Sequence, residues 1–356
     1  MGPGPSCVSD SVYAALARPT IGHLDPFFIE IMDTEKKNLK TIFRTGNELT
    51  LPVSGTGSAG METCFVNLVN PGDKVLILVN GVFGTRMADV AGRLGANATV
   101  REFEWGTPVL VDAVREELAK QKFAIVAVVH AETSTGVRNP VEEIGRIVKD
   151  HGALYLVDAV TSLGGIDVRM DDWSIDAIYS GTQKCLSCPP GLAPISFSSR
   201  AVEKLKARTT KVPNWYLDLS LIMNYWEGSK RAYHHTAPIN MVYALYQALY
   251  DLLAEGLEKS FARHADAHAY LVAELEKIGL TLLVAPESRL PMLNAVRCPE
   301  GIDEAKIRSR LLDEHKIEIG AGLGPLAGKI WRVGLMGHTA RHENVDRLIT
   351  ALKHVL

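Results

Sequence analysis

Residues 153–160 read ALYLVDAV and residues 177–184 read AIYSGTQK, so an aspartate and a lysine each follow a short apolar run. Apolar runs of this length, alternating with helical stretches, are typical of strands in a parallel sheet that is covered on both faces. The interval between Asp158 and Lys184 suits a single crossover connection. We therefore expect both side chains at the carboxyl edge of one sheet, where α/β proteins bind their ligands.

Strand-like and helical segments alternate in the same way from METCFVNLV at 61–69 to APISFS at 193–198. This alternation predicts an α/β fold with a mostly parallel sheet. The alternation ends at a long helical stretch, INMVYALYQALYDLLAEGLEKS at 239–260, and a helix-rich α/β unit follows it. The predicted divisions are an extended N-terminal arm at 1–25, a large domain at 26–258 and a smaller C-terminal domain at 259–356.

The bulk composition argues against several classes of partner. The net charge of −3 and the lack of a Lys/Arg block provide no basic surface for nucleic acid. The longest apolar run, FAIVAVVHA at 123–131, is much shorter than the ~20 residues of a membrane span. The five cysteines form no regular framework, which is typical of a reducing compartment. We expect a cytoplasmic protein without membrane or nucleic-acid partners.

A glycine-rich segment, SGTGSAG at 54–60, lies between the strand-like LTLPV and a helical stretch. It matches G-x-G-x-x-G, so an NAD-dependent dehydrogenase is one alternative. That function also needs an acidic residue at the end of the second strand, and KVLILVNG at 74–81 ends without one. Free N–H groups at the start of any helix favour an anion. We therefore interpret this segment as a phosphate-binding cup.

The cup, the aspartate and the lysine together fit pyridoxal phosphate. The cup would take the phosphate, Lys184 would form a Schiff base with the aldehyde, and Asp158 would pair with the pyridinium nitrogen. Lys184, once displaced by substrate, would move the proton of the substrate Cα. The sequence thus predicts a pyridoxal-phosphate enzyme with Lys184 and Asp158 as its catalytic residues.

Several segments carry a family resemblance that covers nearly the whole chain. Its marks include SGTGSAGME at 54–62, NGVFG at 80–84, HAETSTG at 130–136, SGTQKCLSCPPG at 180–191 and YHHT at 233–236. The chain resembles the class V aminotransferases of fold type I, in the alanine–glyoxylate and serine–pyruvate branch. The resemblance implies a seven-stranded sheet, a smaller C-terminal α/β domain, a ping-pong reaction and a homodimer with shared active sites.

The same resemblance implies roles for individual residues. Those implied to contact the cofactor, besides Asp158 and Lys184, are Thr56, Gly57, Ser58 and Gln183 at the phosphate, Phe83 over the ring and Thr133 near its phenolic oxygen. Tyr233 and Thr236 are implied to reach the cofactor of the partner subunit. Arg332 is implied to bind the substrate carboxylate, with a surface salt bridge as the alternative. We place His23, on the N-terminal arm, near the substrate entrance, with a capping or structural histidine as the alternative.

The resemblance also bears on the substrates. In ureidoglycine enzymes of this group, a Gln and an Asn occupy the places of His23 and Tyr233, and amides suit a ureido group. The His and Tyr of this chain favour a small donor, alanine or serine, with glyoxylate or pyruvate as acceptor. FEWGT at 103–107 and GPLAGKIW at 324–331 resemble the ureidoglycine branch. A ureidoglycine–glyoxylate aminotransferase therefore remains the alternative.

Two smaller motifs have a structural interpretation. Cys185 and Cys188 form C-x-x-C, but no second pair completes a zinc site, so we expect them to pack beneath the lysine loop. Adjacent residues on an extended segment point to opposite faces, which argues against a metal shared by His234 and His235. Cys298 does not match the catalytic cysteine expected of a desulfurase. The sequence predicts no metal.

Overall fold

The computed structural model describes residues 1–226 and 231–356. The strands are β1 (Leu49–Ser54), β2 (Lys74–Val79), β3 (Asn97–Glu102), β4 (Ile125–Val129), β5 (Ala131–Glu132), β6 (Val137–Arg138), β7 (Leu154–Asp158), β8 (Ala177–Tyr179), β9 (Leu192–Phe197), β10 (Leu293–Arg297), β11 (Gly320–Ala321) and β12 (Ile330–Gly334). The helices are α1 (Asp10–Leu16), α2 (Pro26–Phe43), α3 (Gly57–Leu68), α4 (Val82–Arg93), α5 (Val111–Lys120), α6 (Val141–His151), α7 (Ser199–Lys206), α8 (Leu219–Trp226), α9 (Ile239–Glu255), α10 (Leu257–Lys277), α11 (Glu304–His315) and α12 (His342–Val355).

The main sheet has seven strands in the order β1-β9-β8-β7-β4-β2-β3. The run from β8 to β3 is parallel, and β9 is antiparallel to both of its neighbours. Every residue of β4 and β7 is buried, which explains their unbroken apolar sequences. The predicted α/β fold with a mostly parallel seven-stranded sheet is confirmed.

Among the described residues, the two largest hydrophobic cores follow one another along the chain, and two smaller clusters also occur. The first contains buried residues from Val12 to Leu257, and the second contains residues from Ala267 to Val355 around a three-stranded sheet of β10, β12 and β11. The cores lie on either side of the predicted boundary at 258/259, which itself stays a prediction. Among the described residues, no helix has both the length and the hydropathy required to cross a membrane.

Two local predictions were wrong. The arm at 1–25 is not extended throughout, because α1 forms within it and buries Val12 and Ala15 against α9. The predicted single helix at 239–260 is broken at Gly256, which has φ 92° and separates α9 from α10. A residue with this φ cannot continue a right-handed helix, and glycine adopts it without a steric penalty.

The glycine-rich segment does not have the neighbours of a dinucleotide-binding unit. It follows β1, which lies at the edge of the sheet and pairs only with the antiparallel β9 among the described strands. A dinucleotide fold needs this strand beside the next parallel strand, and β2 lies near the opposite edge. The strand order therefore does not support a dinucleotide-binding unit, and the interpretation of the segment as a phosphate-binding cup stays a prediction.

Candidate active site

A cavity of about 210 Å³ lies at the carboxyl ends of β7 and β8, beside the first turn of α3. Its lining includes seven residues predicted from the sequence, which are Gly57, Ser58, Phe83, Thr133, Asp158, Gln183 and Lys184. The neighbouring parallel strands β7 and β8 bring Asp158 and the Lys184 loop to the same edge, as their strand-end positions predicted. This cavity is the candidate active site.

Asp158 is the last residue of β7 and is almost completely buried. Its Oδ1 accepts a hydrogen bond from the Val160 N–H at 2.7 Å, and its Oδ2 accepts one from the Tyr179 hydroxyl at 2.7 Å. Burial is the main cause that raises the pKa of Asp158 from 3.8 to about 7. A cationic ring nitrogen at this carboxyl would stabilise its ionised form, so the site suits a pyridinium group.

Lys184 is 8% exposed and lies in the loop that follows β8. Its Nζ donates a hydrogen bond to the carbonyl oxygen of Pro3, so the N-terminal arm lies against the amine. Burial lowers the pKa of Lys184 from 10.5 to about 8. The amine therefore deprotonates close to neutral pH, as a nucleophile that must attack an aldehyde requires.

The first turn of α3 forms the end of the cavity where a phosphate fits. Gly57 and Ser58 line it, and Thr56 lies at the N-cap position without a side-chain cap hydrogen bond. The first N–H groups of a helix have no partner within it, and the helix dipole favours an anion there. The Oε1 of Gln183 is buried without a hydrogen-bond partner among the described residues, and its amide can rotate to present N–H donors. These open groups fit the phosphate of pyridoxal phosphate.

Phe83 and Arg86 form another wall of the cavity, and Glu132 supports it from outside the lining; the sequence did not indicate Arg86 or Glu132. Phe83 lies in the first turn of α4, and the guanidinium of Arg86 lies 4.9 Å from the centre of its ring. Arg86 also lines the cavity and adds a cation to it. The buried Glu132 accepts a hydrogen bond from the Phe83 N–H at 3.2 Å and fixes the start of the helix. The spacing of Phe83 and Arg86 predicts that they share one face of α4, but the sequence does not show that this face borders the cavity.

Arg332 is buried in β12, close to the cavity but outside its lining. Its Nε donates to the carbonyl oxygen of Ala321 at 2.7 Å, and its Nη1 donates to that of Thr133 at 3.3 Å. The alternative of a surface salt bridge is wrong, because Arg332 is buried within β12. A guanidinium has five N–H donors, so several stay available for a carboxylate.

Three predicted residues do not reach the cavity within one chain. The rings of His23 and Tyr233 lie 5.1 Å apart, and the Tyr233 hydroxyl lies 3.3 Å from the Thr236 Oγ1. Tyr233 is 61% exposed, and none of the three lines the cavity. The exposed Trp215 and Tyr216 lie nearby through His234. His23, Trp215, Tyr216 and Tyr233 are defined here as the aromatic surface, and the buried His234 packs against Trp215.

The smaller motifs have structural surroundings. Cys185 and Cys188 are buried thiols, and burial raises the pKa of Cys185 to about 12, so packing beneath the lysine loop fits both. The expectation that His234 and His235 point apart was wrong, because their Nδ1 atoms lie 2.7 Å from each other. The Nε2 of His235 contacts the Ser54 hydroxyl at 2.7 Å, so the two histidines are part of a hydrogen-bonded network of side chains.

Comparisons with known proteins agree with this geometry. Residues 9–348 match the family model described as aminotransferase class-V. The (S)-ureidoglycine–glyoxylate transaminase of Bacillus subtilis is 39% identical, covering 100% of this chain and 90% of the relative. The alanine–glyoxylate aminotransferase of Oryctolagus cuniculus is 41% identical, covering 100% and 92%. The crystal structure of alanine–glyoxylate aminotransferase from Nostoc sp. has a TM-score of 0.98 and 50% identity, covering 100% of this chain and 94% of that one.

Proposed function

Because the chain belongs to the class-V aminotransferase family, we propose that it transfers the amino group of alanine or serine to glyoxylate or pyruvate. The protein is an aminotransferase that uses pyridoxal phosphate, so the dehydrogenase alternative is wrong. In a ping-pong reaction, the donor leaves as an oxo acid before the acceptor binds. The substrates and the roles of individual residues are the proposed part.

When bound, pyridoxal phosphate supplies an aldehyde for amines and a ring that withdraws electrons from the substrate Cα. In this proposal, Asp158 presents its carboxylate to the ring nitrogen and favours the protonated ring. The Lys184 Nζ accepts the proton of the substrate Cα, which suits an amine whose pKa burial has lowered to about 8. The first turn of α3 binds the phosphate, and Arg332 binds the substrate carboxylate through its planar guanidinium.

The position of the N-terminal arm supports a small substrate. An ideal Cβ on Gly4 would lie 2.5 Å from the Lys184 Nζ, so the backbone at Gly4 directly contacts the amine. On the other side, a Cβ on Gly320 would lie 2.7 Å from Pro3 and 3.5 Å from the Arg332 Nη2. The arm therefore borders the groups assigned to the two ends of the substrate. This contact is the observation that best supports alanine or serine as donor.

A Gly4→Ala substitution is expected to lower kcat/KM for alanine by about 10-fold or more, because small displacements of reacting groups cost large rate factors. The new methyl would collide with the Lys184 side chain, and the φ of 110° at Gly4 is unfavourable for alanine. Steady-state kinetics measure the effect. Gly2→Ala is the matched control, since its Cβ would make only an ordinary 3.6 Å contact with Glu318. Equal kinetics of the two variants would contradict a role of the N-terminal arm in the active site.

An Arg332→Ala substitution is expected to raise KM for both the amino acid and the oxo acid by about 10- to 100-fold, with a smaller change in kcat. A carboxylate contact that persists throughout the reaction contributes mainly uniform binding. Arg332→Lys is the control, since it keeps the charge but loses the two-pronged geometry, and we expect an intermediate KM. Unchanged KM values in Arg332→Ala would exclude this residue from substrate binding.

A ureidoglycine–glyoxylate aminotransferase is the second candidate, and the 39% identity to the Bacillus subtilis transaminase supports it. A matrix of alanine, serine and ureidoglycine against glyoxylate and pyruvate separates the two functions by kcat/KM. We expect the highest values with alanine or serine, because His23 and Tyr233 stand where that branch carries amides. A higher kcat/KM with ureidoglycine would assign the second function.

We also propose a homodimer in which the aromatic surface meets a second copy of the chain. Tyr233 and Thr236 are exposed and lie outside the cavity of their own chain, so they are free to reach the cofactor of a partner. Two subunits that exchange such residues form two equivalent shared sites. Exposed aromatic side chains in one patch are typical of a protein interface.

Mixed dimers provide a direct test of the shared sites. A Lys184→Ala subunit and a Tyr233→Ala subunit are each expected to be impaired as homodimers. In the mixed dimer, one site combines an intact Lys184 with an intact Tyr233 from the other subunit, so activity should return to about half of the normal value. A mixed dimer without restored activity would mean that Tyr233 serves its own chain.

A further inference from the structure

The two groups assigned to the ends of the substrate lie on different parts of the molecule. Lys184 lies two residues before Leu186 of the first core, whereas Arg332 lies between Trp331 and Val333 of the second core. A substrate held at both ends requires a fixed separation, because a shift of about 1 Å can cost about 100-fold in rate. Some contact between the two parts must therefore set that separation.

Ser187 makes hydrogen bonds to both sides. Its backbone N–H donates to the Lys184 carbonyl oxygen at 3.0 Å, which closes the turn that holds the lysine. Its hydroxyl oxygen accepts from the backbone N–H of His338 at 2.7 Å, and His338 follows β12 closely in the chain. Ser187 has a φ of 52°, a conformation that few residues other than glycine adopt. Glycine would adopt this conformation without strain, but it could not make the hydrogen bond to His338.

Gly337 allows this contact to form. A Cβ at Gly337 would lie 1.9 Å from the Ser187 hydroxyl oxygen and 2.7 Å from the Cys185 carbonyl oxygen. The second of these atoms belongs to the backbone and cannot rotate away. Any side chain at position 337 would therefore push the segment after β12 away from the lysine loop.

A buried histidine holds Gly337 from the other side. The Gly337 N–H donates to the His264 Nε2 at 2.9 Å, and the His264 Nδ1 donates to the Ser260 carbonyl oxygen at 2.7 Å. Burial lowers the pKa of His264 to about 4, so its ring stays neutral and Nε2 keeps its lone pair. The Ser260 hydroxyl donates to the Gly164 carbonyl oxygen at 2.8 Å, in the loop that follows β7.

We propose that Ser187 is a positioning residue that sets the distance between the Lys184 amine and the Arg332 guanidinium. It does so with Gly337, through the hydrogen bond to the segment that continues from β12. This inference rests on the proposed role of Arg332 in binding the carboxylate. It assigns no contact with substrate or cofactor to Ser187 itself.

A Ser187→Ala variant tests the proposal. We expect kcat for alanine to fall by about 10-fold with KM changed less than about 2-fold, because the substrate still binds but is misaligned with Lys184. Ser198→Ala is the matched control, since Ser198 is half-buried like Ser187 and its hydroxyl caps the start of α7, outside the cavity lining. The control should lose stability without a change in kcat. A kcat of Ser187→Ala equal to that of the control would overturn the proposal.

Hydrogen–deuterium exchange of the cofactor-free protein gives a second readout that needs no reaction. In Ser187→Ala, residues 184–190 and 335–341 are expected to lose protection together, because one hydroxyl joins them. Loss in only one of these segments would overturn the proposal. The role of Arg332 as carboxylate ligand is tested separately. If that role is wrong, KM stays unchanged in Arg332→Ala, and the exchange result for Ser187→Ala is unaffected. Gly337→Ala, if it folds, should give the same paired loss.

Discussion

Replacing Lys184 with alanine is expected to lower turnover by about 1,000-fold or more, while the protein still binds pyridoxal phosphate noncovalently. The change removes both the amine that bonds the aldehyde and the group that carries the Cα proton. The phosphate contacts at Gly57 and Ser58 remain, so binding should persist. Single-turnover kinetics and the visible spectrum measure the two effects separately.

Two measurements protect this prediction against indirect effects. Borohydride reduction of the wild-type protein, followed by peptide mass spectrometry, should find the cofactor attached to Lys184. Lys204→Ala is the control, because this half-buried lysine pairs with Asp73 and lies outside the cavity lining. Attachment at another lysine, or near-normal turnover in Lys184→Ala, would contradict the assignment.

Replacing Asp158 with asparagine is expected to lower kcat by about 100-fold or more. Asparagine keeps the size of the side chain and can still bond Tyr179 and Val160, but it has no negative charge to stabilise a protonated ring. Loss of one preorganised electrostatic partner typically costs rate factors of this size. Steady-state kinetics at saturating cofactor isolate the effect on the reaction. A kcat within 3-fold of the wild-type value would exclude the charge of Asp158 from catalysis.

The same variant should change how stability depends on pH in the cofactor-free protein. Because burial raises the pKa of Asp158 from 3.8 to about 7, the folded state holds a proton in this interval that the unfolded chain releases. The free energy of unfolding contributed by this group therefore falls as the pH rises from about 4 to about 7. Asp158→Asn lacks this titration. Its Tm should fall less than that of the wild type between pH 5 and pH 8, measured by thermal unfolding.

The sequence predicted the parts of the site that depend on strand order. Asp158 and Lys184 follow apolar runs, and parallel strands bring such residues to one edge whatever the details of packing. The break at Gly256 was missed because the apolar spacing continues across it. There, the backbone conformation of a single residue decided where the helix ended.

Contacts between distant segments could not be derived from the sequence. The hydrogen bond from Lys184 to Pro3 joins residues 181 positions apart and belongs to no periodic pattern. Arg86 enters the cavity only because of the direction of α4, which tertiary packing determines. Glu132 lies in the quoted segment HAETSTG, but its role depends on burial beneath Phe83. These residues became visible only in three dimensions.

The yellow colour of the bound cofactor should depend on the first hydrophobic core, whereas catalytic activity should depend on both large cores. The residues assigned to pyridoxal phosphate lie beside the first core, whereas Arg332 lies in a strand of the second core. Substitutions that disrupt only the C-terminal core should leave a yellow protein without turnover. Substitutions that disrupt the packing beneath β4 or β7 should give a colourless protein that has lost the cofactor. A glance at the colour of a purified, inactive variant would therefore indicate which half of the molecule has failed.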